Sequence, residues 1–61
     1  MKISELVAYC SPTQQVIVWS DRFVEVMYHG LVEDMDKTVL SQDVQYIGGS
    51  FTPNTIRIVI D

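Results

Sequence analysis

Scarcity defines this chain first. One cysteine, Cys10, in 61 residues excludes an internal disulfide. One histidine, His29, with Glu25 and Glu33 as its nearest acids, gives no ligand spacing that would hold a metal. The four cations, Lys2, Arg22, Lys37 and Arg57, are scattered and face eight acidic residues, for a net charge of −4. That argues against binding nucleic acid through its phosphates. No apolar run approaches the ~18 residues of a membrane span, and no segment reads as a signal-peptide core. A lone thiol fits a reducing cytosol, so the expected location is cytoplasmic.

What is present is apolar. Hydrophobic residues are 48% of the chain, enough for a globular fold and, at this length, a single domain over 1–61. Ordering it costs about 90 kcal/mol at roughly 1.5 kcal/mol per residue. Burying about 6,000 Å², a little over half of it apolar, returns about 80–90 kcal/mol. A balance this near zero is usually tipped by disulfides, a metal or a partner chain. With no disulfide and no evident metal set, association is expected, most simply as a homodimer.

Ile3, Leu6, Val7 and Cys10 recur at helical spacing, so a short helix is expected over Ile3–Cys10, with Ser4 as its cap and Glu5 in its first turn. Ser11-Pro12 ends it. Gln14–Ser20 reads as a strand, with Val16 and Val18 opposite Ile17 and Trp19. A tight connection at Ser20-Asp21-Arg22 leads into a second strand, Phe23–His29. There Val24, Val26 and Tyr28 share one face, and Phe23, Glu25, Met27 and His29 the other. Gly30 breaks this pattern, and Leu31-Val32 also fits extended chain continuing beyond a bulge. Asp34–Gln42 is read as a short helix capped by Asp34 or Asp36, although Thr38-Val39-Leu40 also fits extended chain. Asp43–Gly48 is a third strand, with Val44 and Tyr46 opposite Ile47. The last strand, Thr55–Asp61, sets Ile56, Ile58 and Ile60 against Arg57 and Val59, and is expected to close the sheet with no tail behind it.

The expected fold is α+β: a short N-terminal helix packed on a four-stranded, mainly antiparallel meander, with a short helical segment between the two hairpins. One two-turn helix covers only part of one sheet face. The aromatic and Met surface left over is the case for a contact face. Trp19, Phe23, Met27, Tyr28, Tyr46 and Phe51 are the candidate partner-binding residues, with Tyr9 weaker; Tyr and Trp are enriched in binding hot spots. Glu33, Asp34 and Asp36 form an acidic knot that reads as a solvated turn or as a contact for a basic partner.

Catalytic signals are poor. Cys10 with His29 is the one nucleophile–base combination, and it lacks a third member and an oxyanion site. Gly48-Gly49-Ser50 lacks the Lys and glycine spacing of a phosphate loop. No catalytic, cofactor or metal residue is assigned, and an enzyme is not expected.

The opening Met1-Lys2-Ile3-Ser4-Glu5-Leu6, the stretch Val26-Met27-Tyr28-His29-Gly30-Leu31-Val32 and the following acidic segment with Asp43-Val44 resemble small phage and prophage proteins of Gram-positive bacteria. The resemblance implies a helix followed by two hairpins, no activity, and a phage-encoded module that binds one host protein. Inhibition of an antiviral defence effector by steric occlusion is the expected function. A nucleotide-messenger sequestering oligomer, with Arg22 or Arg57 gathered by symmetry, and a phage structural or assembly component are the alternatives.

Overall fold

The computed structural model describes residues 1–48 and 54–61. Its elements are helix α1 (Ile3–Val7), strands β1 (Gln15–Ser20) and β2 (Glu25–Leu31), a 3₁₀ turn at Val32–Asp34, helix α2 (Lys37–Leu40), and strands β3 (Val44–Gly48) and β4 (Thr55–Ile60). The α+β class and the intervening short helix are as the sequence suggests.

The meander is not. The strand order is β2-β1-β4-β3, with β1 and β4 parallel at the centre and antiparallel pairs at each side. After β2 the chain crosses one face of the sheet through the 3₁₀ turn and α2, lands at the far edge as β3, and returns between β3 and β1. Burial favours this order. β1 and β4 are the strands with apolar residues on both sides, and central positions cover both sides. Val16, Val18, Ile58 and Val59 are fully buried.

α1, α2 and Met35 all pack on one face. Ile3, Val7, Val16, Val18, Met35, Ile58 and Ile60 form the core there, flanked by Leu6, Tyr28, Val32, Val39, Leu40, Val44 and Ile56. α1 is shorter than its spacing promised. Its last turn tightens into three-residue bonds, Tyr9 N–H to Leu6 C=O and Cys10 N–H to Val7 C=O, before Pro12. Lys2, not Ser4, is the N-cap, and Glu5 accepts a hydrogen bond from the Lys2 backbone N–H at 3.0 Å. Met1–Ile3 is stitched to the start of β3 by Ile3 N–H to Gln42 C=O and Val44 N–H to Met1 C=O, at 2.9 and 2.8 Å. α2 is capped by Asp36, whose side chain accepts from the Val39 N–H.

The two edge strands each depart from simple alternation. A bulge between Val18 and Trp19 inserts Met27 into β2, so Tyr28 pairs with Val18 while Val26 pairs with Trp19. A matching irregularity inserts Gln45 into β3: Val44 pairs with Ile60 and Tyr46 with Val59. An extra residue reverses the phase of everything beyond it. Val26 and Tyr28, expected on one face, therefore lie on opposite faces, and so do Val44 and Tyr46. The extended chain continues through Gly30 to Leu31, as its reading beyond a bulge expects, but the bulge falls at Met27 rather than at Gly30, where a Cβ would lie 2.9 Å from the Tyr28 hydroxyl.

β2 also starts two residues late. The β1–β2 connection is Asp21–Val24, and Val24 holds φ +52°, the left-handed region that a β-branched residue rarely enters. The buried Ser20 hydroxyl organises this turn by accepting from the Phe23 N–H and donating to the Asp61 C=O. Left-handed backbone costs a non-glycine residue about 1–2 kcal/mol. Glycine relieves that strain and loses about 0.5–1 kcal/mol through its more flexible unfolded state. Val24 is 70% exposed and forfeits little burial. Val24→Gly is therefore expected to stabilise the protein by about 0.5–1 kcal/mol, read as a raised urea midpoint. A lowered midpoint would show that the turn is not strained.

Candidate functional site

Among the described residues, both helices pack on one face of the sheet and neither lies on the other. Because paired residues share a face, the register defines two rows across it. The first is Val26 (β2), Trp19 (β1), Val59 (β4) and Tyr46 (β3). The second is His29, Ile17, Arg57 and Gly48. Val59 is fully buried in the middle of the first row, Trp19 is half-buried, and Val26 and Tyr46 at its ends are 51% and 54% exposed. None of these residues belongs to the core under the helices.

Two polar contacts hold Trp19 in place. Its indole N–H donates to Asp21 Oδ1 at 3.1 Å, and the Arg57 guanidinium lies 5.9 Å from its ring centroid, within cation–π range. An aromatic pinned from two sides is a rigid platform. It loses little rotamer freedom when something lies against it.

Phe23, Val24 and Met27, all exposed, extend the apolar character to the β1–β2 turn and the β2 edge. Total accessible surface, 4039 Å², is what area scaling gives a compact monomer of about 7 kDa. The exposed apolar residues are therefore an uneven distribution rather than an excess of surface.

The expected partner-binding residues separate into groups. Trp19 and Tyr46 come together on the helix-free face, and Phe23 and Met27 lie beside it. Tyr28 faces the helices, where its hydroxyl donates to the Leu31 C=O at 2.6 Å. Desolvation, with the negative charges of Asp34 and Asp36, raises the Tyr28 pKa above its ordinary value. Glu33 and Asp34 sit in the 3₁₀ turn and Asp36 caps α2, so the acidic knot gathers near Tyr28 and does not rim the aromatic face. Tyr9 is almost fully exposed after α1. Phe51 lies outside the described residues. Val26 is the member that sequence reasoning missed, since only the bulge turns it toward Trp19.

The residues weighed for chemistry are apart. The Cys10 thiol donates to the Leu6 C=O on the helix side, whereas His29 pairs with Ile17 on the opposite face. Among the described residues no group of three His, Cys, Asp or Glu side chains could hold a metal ion. Two open clefts, about 320 and 470 Å³, are lined by Ser11, Thr13, Gln14, Gln15 and Asn54, and by Met1, Glu5, Ala8 and Tyr9. Among the described residues, no helix is long and apolar enough to cross a membrane. No family model, no curated protein and no solved structure matches this chain.

Proposed function

We propose that the protein is a non-enzymatic protein-binding module whose contact surface is the helix-free sheet face. The observation that carries this reading is the row Val26–Trp19–Val59–Tyr46: an aromatic platform fixed by Asp21 and Arg57, with exposed apolar residues at both ends. Interfaces draw most of their energy from a few such anchors. In the phage setting that the sequence resemblance implies, the partner is a host protein, for instance a defence effector, and the mechanism is occlusion of its working surface.

The test is recovery of a stoichiometric complex from lysate of a Gram-positive host, repeated with Tyr46→Ala and Trp19→Ala. Loss of a hot-spot aromatic costs about 2 kcal/mol or more, so each variant should weaken the complex by about thirtyfold. A complex formed equally well by both variants would place the contact elsewhere and defeat the proposal.

A further inference from the structure

Resting on the reading of the chain as a protein-binding module, we infer that the β1–β2 turn is its specificity element. Phe23 and Val24 enter an apolar pocket of the protein partner, and the rim of that pocket carries Lys or Arg.

The turn projects past the last rung of its hairpin, the pairing of Ser20 with Glu25. Phe23 and Val24 are 63% and 70% exposed there, whereas Val59 in the Trp19 row is fully buried. The described chain resumes after residue 48 at the opposite end of the sheet. Thr55 pairs with Gln15, and Ile60 with Ser20, about 16 Å along β4 at ~3.3 Å per residue.

Three observations define what the tip fits. The first is strain. Val24 holds φ +52° and buries little, so glycine would serve the turn better than valine does. A side chain that its own fold would do better without points to a contact outside the chain. The second is rigidity. The Asp21 N–H donates to the Ile60 C=O at 2.9 Å, and the Phe23 N–H to Ser20 Oγ at 3.1 Å. The Ser20 hydroxyl donates in turn to the Asp61 C=O at 3.2 Å. A tip anchored to β4 in this way loses little freedom on binding.

The third is charge. Asp21, Glu25 and Asp61 are exposed at this end of the sheet. Arg22, the cation of the turn, lies 3.7 Å from Asp61, and Lys2, at the far edge, lies 3.4 Å from Asp43. The tip is therefore an apolar projection in a net negative surround. That surround attracts cations on a protein rim and is repelled by anionic lipid.

The complex recovered from Gram-positive lysate supplies the test, once its captured protein has been identified and purified. Phe23→Ala should weaken binding about thirtyfold and Val24→Gly about tenfold. The urea midpoint of Val24→Gly should rise at the same time, a combination that a purely structural role of Val24 would not produce. Added salt should weaken the wild-type complex, and Glu25→Gln should reduce that salt dependence. A benzoylphenylalanine photocrosslinker at position 23 should label a partner peptide rich in apolar residues and Lys or Arg. The same probe at the exposed Tyr9 position should not label it. Undiminished binding by both tip variants, a crosslink into an acidic site, or cosedimentation with phosphatidylglycerol vesicles would overturn the inference. A complex that needs Trp19 and Tyr46 but is indifferent to the tip would leave the proposed function standing. Recovery of no complex would defeat both.

Discussion

Ile58→Ala is expected to remove a large part of the protein's stability. Ile58 is fully buried on β4, between β1 and β3, where it meets Val18 across the parallel pair and faces the residues under both helices. Truncating a buried isoleucine costs about 2–5 kcal/mol through lost transfer energy and the cavity left behind. At about 0.05–0.15 kcal/mol per residue, a 61-residue domain has about 3–9 kcal/mol in all. The urea midpoint should fall by about half, with an unchanged slope. Ile47→Ala, at an exposed edge position, should cost about 1 kcal/mol or less. Equal losses at the two sites would mean that the core is not where burial puts it.

Ile3→Ala is the second large effect, and its signature is local as well as global. α1 is five residues long, far below the ~12 that sustain a helix in water, so it persists by docking. Ile3 is its fully buried anchor, with Val7 one turn on. The same residue donates its backbone N–H to the Gln42 C=O, two residues before β3. The expected cost is about 2–4 kcal/mol. Amide exchange should accelerate most at residues 1–10 and 42–44, before the central strands are affected. Uniform acceleration throughout the sheet would show instead that α1 and the sheet open as one unit.

The central strands were legible in the sequence because alternation runs through them without a fault. Val16 and Val18 face the helices with Ile56, Ile58 and Ile60, and Ile17 and Trp19 face away, as two-residue periodicity requires. The edge strands were not. One inserted residue in each, Met27 and Gln45, turns Val26 and Tyr46 to the face of Trp19, and a bulge leaves no mark in composition. Half of the apolar row was therefore hidden, although Trp19 and Tyr46 were both identifiable as candidates by type. Strand order was hidden for a different reason. Hairpin signals describe neighbours in sequence, whereas the parallel pairing of β1 with β4 joins Gln15 to Thr55 across most of the chain. Val24 was read as an ordinary strand residue, because propensity is silent about a side chain held in left-handed backbone by the turn around it.

The place of β4 between β1 and β3 has a consequence for how the molecule comes into being. A nascent chain that ends before residue 55 can form the β1–β2 hairpin and little else of the sheet, since β3 has no neighbouring strand until β4 arrives and only the short bridge at Met1–Ile3 meets its start. Assembly on the ribosome must wait for residues 55–60 to leave the exit tunnel. High contact order then makes closing the centre the slow step.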